Sequence, residues 1–204
     1  YGDFYAPAYA VRVGRADLMR DLLVAVSQVE VDLVLGAASR FSFAATDCYS
    51  HKLRIFQTGR GVDLLGILTF GAEMEIYMGY GDAKSTPIAM KGMITEISTS
   101  FPESGSPELA IAGYDHGFAM TIGKNSRTWS KARDSEAVHE IASFNNLAAI
   151  IEPTQETHAQ IEQNQESDWE FLKKLAERNH FELYVDERKT LHFAKPNDKA
   201  GAVV

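Results

Sequence analysis

The sequence predicts an α+β chain: an N-terminal antiparallel β-barrel-like domain, then a smaller α/β domain in which a helix packs on a β-hairpin. Three observations carry this. Runs with period-two alternation, rich in Val, Ile and Phe, fill the first 115 residues. From about residue 116 the texture shifts toward helical spacing. The stretch "IEQNQESDWEFLKKLAERNHFELYVDERKTLHFAKP", residues 161–196, reads as a capped helix followed by a hairpin. A chain of 204 residues accommodates two domains of about 100 residues each, placed at 1–115 and 116–204.

In the first domain, Tyr9 to Val13 offers a short strand, and "SQVEVDLVLGAASRFSFAATD" supplies strands around 27–35 and 40–46. "ADLMRDLL" between them reads as a turn or one helical winding. "GVDLLGILTFGAEMEIYMGYGD" changes at Gly71 from a continuous apolar run to Met74, Ile76, Met78 and Tyr80 on alternate positions, a strand closed by a glycine turn. "IAMKGMITEIST" is a long strand in which Gly92 marks a bulge or a close backbone approach. "ELAIAGYD" returns beside it after the loop "FPESGSP". Five or six antiparallel strands imply a barrel or a tight sandwich.

In the second domain, Asp134 or Ser135 can cap a helix whose Ala137, Val138, Ile141 and Ala142 form one apolar stripe. "AAIIEPTQE" gives a short strand stopped by Pro153. Ser167 and Glu170 stand at capping-box spacing, in which each side chain satisfies a backbone N–H at the helix start. Trp169, Phe171, Leu172, Leu175 and Ala176 make the buried side of that helix, and Lys173, Lys174, Glu177 and Arg178 the wet side. Phe181, Leu183 and Val185 then alternate, "DERK" turns, and Leu191 and Phe193 face the same core on the return strand.

Composition excludes several classes. Lys and Arg number 20 against 28 acidic residues, a net charge of -8, so the field of the protein repels phosphate backbones and nucleic acid is not an expected partner. One cysteine, Cys48, rules out an intrachain disulfide framework and a multi-thiolate metal site. No run approaches the roughly 20 apolar residues of a membrane-spanning helix, and the first residues lack the pattern of a secretory signal. The chain starts at Tyr1 and stops at "AGAVV", which reads as a piece of something longer.

Candidate chemistry is sparse. Glu136 and His139 have the Glu-x-x-His spacing of carboxylate-bridged two-metal sites, but those need a second pair and further carboxylates, so a solvated helix face is the better reading. Cys48 and His51 invite a thiol nucleophile, yet no orienting group follows, and a buried thiol beside a surface His fits better. Asp115 and His116 at a strand end read as turn chemistry, the carboxylate bonding its own backbone. "GRGVDLLG" fits neither phosphate-loop pattern. Trp129 and Trp169 read as core. No catalytic, cofactor-binding or metal residues are assigned and no cofactor is expected.

The order and spacing of "MEIYMGYGD", "KGMITEISTSFPESGSPELAIAGYD", "RTWSKARDSEAVHEIA" and "NQESDWEFLKKLAERNHFELYVDERKTLHF" resemble the phage late-control D family. These are baseplate hub proteins of contractile tails, similar to the front half of valine-glycine repeat (VgrG-like) spike proteins of type VI secretion and extracellular injection systems. The resemblance rests on Gly79 and Tyr80, on Gly113, Tyr114 and Asp115, and above all on Ser167, Asp168, Trp169, Phe171, Leu172, Leu175, Ala176, Leu191 and Phe193. It implies a non-enzymatic structural role in a virion tail or injection particle assembled in the bacterial cytoplasm. The implied hub is a homotrimer joining a hexameric inner tube to a trimeric spike, with the tube protein, the spike or a C-terminal spike domain, and other baseplate proteins as partners. It also implies a second tube-like domain beyond Val204. Two alternatives stand beside it: a cell-wall-polymer hydrolase, which needs a carboxylate pair, and a carbohydrate-binding β-module using Tyr77, Tyr80 and Tyr114.

Overall fold

The computed structural model describes residues 7–81 and 86–196; Asp82 of "GYGD" and the terminal "AGAVV" lie outside the described residues. The chain divides into two compact units, one running to Leu33 and then from Ser39 to Asp115, the other combining Val34–Ala38 with the residues from His116 onward.

The first unit carries β1 (Pro7–Val13), β2 (Ala16–Asp17), β3 (Ala25–Asp32), β4 (Arg40–Thr46), β5 (Tyr49–Ser50), β6 (Ile55–Phe56), β7 (Glu73–Tyr80), β8 (Ile88–Ser100) and β9 (Glu108–Asp115). Seven of them make one antiparallel sheet in the order β2-β1-β7-β8-β9-β4-β3, curled as a half-barrel. Among the described residues no pairing joins β2 to β3, so the expected barrel or sandwich is an open sheet. A two-residue edge strand and a bulge between Ser27 and Glu30 on the other edge limit further pairing. The buried face is closed by chain rather than by strands: the turn-rich "GVDLLGIL" sends Leu64 and Leu68 into the core beside Phe41, Phe43, Met74, Ile76, Ile94, Leu109 and Ile111. "ADLMRDLL" opens with β2 and continues as a turn, with Leu18 fully buried.

The strand of Met74, Ile76, Met78 and Tyr80 is β7, ending at Tyr80 as expected. Met74 and Ile76 are buried, but Met78 and Tyr80, 37% and 69% exposed, leave the core. The register against β8 shifts between Ile76 and Tyr77, where the buried part of β7 ends. Gly92 is not at a bulge; it serves close approach, because a Cβ there would lie 2.3 Å from the Tyr114 carbonyl oxygen. Gly113 is the counterpart, where a Cβ would stand 2.0 Å from the Met93 carbonyl oxygen and 2.6 Å from Phe41 Cζ. Since backbone cannot yield as a side chain does, Gly113→Ala is expected to cost about 3 kcal/mol, the upper end of overpacking penalties; urea unfolding of the variant measures it.

The second unit begins with a 3-10 helix, His116–Thr121, then β10 (Asn125–Arg133), α1 (Asp134–Phe144), β11 (Ala148–Ile151), β12 (Thr157–Glu166), α2 (Asp168–Asn179), β13 (Glu182–Val185) and β14 (Thr190–Ala194). The texture here is less helical than the sequence implies, because β10 and β12 pair as an antiparallel ribbon. Period-two alternation does not reveal β10. Trp129 and Ala132 are both buried although three apart, and Lys131 between them sits at φ 50°. In β12 the buried positions are Ile161 and the polar Gln163. The hairpin β13–β14 gains β11 as a third strand, parallel to β14.

Candidate functional site

The densest arrangement of functional side chains in the second unit is a pair of buried carboxylates that tie α1 to α2. Asp168, the first residue of α2, is 5% exposed and accepts from Asn125 Nδ2 at 2.9 Å, Gln163 Nε2 at 2.9 Å, Asn145 Nδ2 at 3.0 Å and the Arg127 guanidinium. One carboxylate thus gathers both strands of the ribbon and the C-cap of α1. Asp134, the first residue of α1 and 1% exposed, accepts in turn from Arg178 Nε at 2.9 Å and Asn179 Nδ2 at 2.7 Å at the far end of α2, with His158 Nε2 at 3.4 Å. Each helix therefore starts with an acid, where the macrodipole favours it, and that acid binds the end of the other helix.

This corrects the capping expectation for α1. The N-cap is Arg133, whose N–H donates to Glu136 Oε2 at 2.8 Å, so the Asp134 side chain is free to make the clasp. Ser135 exchanges hydrogen bonds of 3.2 Å with Thr154 instead. Burial pushes the Asp168 carboxyl up, and hydrogen bonds from Arg127, Gln163 and Asn145 outweigh it, leaving the group below the usual carboxylate range.

Around the clasp stand the residues of the "SDWEFL" block. Ser167 Oγ accepts from the Glu170 N–H at 3.1 Å while Glu170 Oε2 accepts from the Ser167 N–H at 3.1 Å. The Ser167 N–H and the Ser167 hydroxyl, both donating to Glu170 Oε2, hold that carboxyl below its ordinary range. Ser167→Ala is expected to lower stability by about 1 kcal/mol, read as a fall in the melting midpoint. Trp169 is buried and its indole N–H donates to the Gly36 carbonyl at 3.0 Å, while Gly36 N–H donates to Leu183 O at 3.0 Å. Phe171 stacks on Trp129 with ring centroids 5.4 Å apart and planes 9° from parallel. Leu172, Leu175, Ala176, Leu191 and Phe193 complete the core.

The strand-end residues fall in the first unit. Gly79 pairs with Ala8 and would crowd Thr86 and Pro87 if it carried a Cβ, while Tyr80 projects from the strand end. Tyr114 is half-buried and pairs with Arg40 and Met93. Asp115 is buried and accepts from the Ser39 N–H at 2.6 Å, a contact spanning 76 residues. Tyr77 is engaged locally: its hydroxyl donates to Glu75 at 2.9 Å and its ring lies under Arg12 at 4.4 Å.

Cys48 is buried, with its thiol on the Ala45 carbonyl at 3.5 Å and pushed up by burial, and His51 is exposed. Glu136 and His139 both face solvent. Among the described residues no group of three or more His, Cys, Asp or Glu is placed to hold a metal, and no helix is long and apolar enough to cross a membrane.

Comparison with solved structures places the fold. The 43 kDa tail protein of prophage MuSo2 from Shewanella oneidensis superposes with a TM-score of 0.72 at 11% identity, over 94% of this chain and 54% of that one. The tail protein from Neisseria meningitidis MC58 gives 0.60 at 18% identity, over 93% and 51%. A chain of the half-lidded Francisella PdpA–VgrG complex gives 0.56 at 12%, over 95% and 32%. The fold is that of tail and VgrG-type proteins, as the sequence resemblance implies, and the chain spans about half or less of these relatives. No curated protein matches the sequence. A family model described as the Alg8 N-terminal domain matches residues 65–204, more than half of the sequence, and the chain belongs to that family.

Proposed function

We propose that this chain is a structural, non-catalytic part of a baseplate hub in a contractile injection machine, acting as a homotrimeric adapter between a hexameric inner tube and a trimeric spike. The observation that carries the reading is the tail-protein fold, matched over 94% of the chain. The physical character of the molecule agrees with it. Its buried polar groups are spent on fixing helices and strands, as in the clasp of Asp134 and Asp168, and an adapter works through fixed surface geometry. In this reading tube protein, spike and neighbouring baseplate proteins are the partners, and the particle is a phage tail or a bacterial injection device.

The test is assembly in cells that make the particle but lack this chain. Particles without a joined tube and spike are expected, with rescue by the intact gene. Fully formed, active particles in its absence would overturn the proposal.

A further inference from the structure

The edge of β11 differs from the other sheet edges of the second unit. Ala148 N–H donates to Lys189 O at 3.2 Å and Glu152 N–H to Phe193 O at 2.8 Å, so these positions of the strand address β14. Period-two geometry turns the N–H and C=O groups of Ala149 and Ile151 the opposite way. Among the described residues no strand meets them there. The edge of β13 is occupied in part by Gly36, whose N–H donates to Leu183 O. The ribbon strands carry Arg127, Lys131 and Arg133 on one side and Glu162 and Glu166 on the other, with a register shift between Asn125 and Arg127. By contrast "AAII" holds no charge and no proline, and its pairing with β14 shows no bulge. Natural sheets avoid such an edge unless something pairs with it.

Beside this edge α1 and β11 border an open cleft of about 320 Å³, lined by Ser135, Glu136, His139, Ile151 and Pro153. Ile151 and Pro153 make it apolar on the strand side. On the helix side Glu136 and Glu140 share one exposed face at i, i+4 spacing, and each uses one carboxylate oxygen internally, on Arg133 N–H and Trp129 Nε1. The remaining oxygens accept further hydrogen bonds.

We infer that β11 takes up an extended segment of another polypeptide as an added strand, with an apolar side chain in the cleft and lysine or arginine residues against Glu136 and Glu140. The backbone edge supplies affinity and the cleft selects the side chain. Charge decides against a second copy as occupant: pairing two β11 edges would set Glu136 and Glu140 of one molecule against the same carboxylates of the other, in a chain of net charge -8. The inference does not depend on the hub assignment, because it rests on an edge and a cleft within one unit.

The probe is the synthetic peptide acetyl-Lys-Ile-Lys-Ile-Lys-Ile-amide, added to the full chain and followed by amide NMR. Binding is expected to slow exchange of the Ala149 and Ile151 amides at least tenfold. A peptide N-methylated at alternate residues, which cannot form the ladder, is expected to bind at least tenfold more weakly. Ala149→Pro removes an outward N–H while leaving every bond to β14, and is expected to weaken binding by a similar factor. Absence of binding at millimolar peptide, equal binding of the N-methylated peptide, protection at another edge, or concentration-dependent protection without peptide would each overturn the inference; the last would identify a second copy as occupant.

Discussion

Trp169→Ala lowers the stability of the second unit by about 3–5 kcal/mol, the range for removing a large buried aromatic side chain. Three losses combine. The indole leaves a cavity beside Leu172 and Phe171 in the core. The Gly36 carbonyl loses the donor that reaches it at 3.0 Å. The loop Val34–Ala38 loses the indole contact that ties Gly36 to α2. Trp169→Phe separates the terms, because it keeps most of the apolar volume while removing the N–H. It is expected to cost roughly 1–2 kcal/mol, the scale of one unsatisfied buried acceptor plus a small void. Chemical denaturation of both variants checks the ordering, and an unchanged midpoint for Trp169→Ala would rule out this packing.

Asp168→Asn is expected to cost about 3 kcal/mol at neutral pH, since removing one charged partner leaves the Arg127 guanidinium against a neutral group in a largely buried site. The pH dependence identifies the cause. The folded-state pKa of Asp168 lies below its ordinary value, so its contribution is fully present above the unfolded pKa of about 4. It is then lost as pH falls through the lower folded value. The stability gap between wild type and Asp168→Asn should therefore be constant from pH 7 to about 5 and close below about pH 4. A gap that persists undiminished into acid would mean that shape, and not charge, makes the clasp.

The parts of the fold legible in the sequence are those written in short windows. The α2 boundary follows from Ser167 and Glu170 three residues apart, and its buried face from Trp169, Phe171, Leu172, Leu175 and Ala176. The hairpin follows from alternating Leu183, Val185, Leu191 and Phe193 around one turn. The ribbon β10–β12 was not legible, because Lys131 interrupts the alternation of one strand and the other buries Gln163 for a hydrogen bond to Asp168. The clasp was hidden for a different reason. Asp134 and Asp168 stand at helix starts, where local rules read an acid as a cap, while their partners Arg178, Asn179 and Asn145 lie 23 to 45 residues away. The contact of Asp115 with the Ser39 N–H is long-range in the same way, 76 residues apart, and no short window shows it. At Tyr80 the alternation continues past the point where the core ends, so period two locates the strand but not the extent of its burial.

The proposed adapter would work as a closed ring of copies. The most direct test is the native mass of the full-length protein, measured by light scattering across a wide concentration range. A stable species of three copies is the predicted result. A single copy at every concentration would contradict the trimeric adapter.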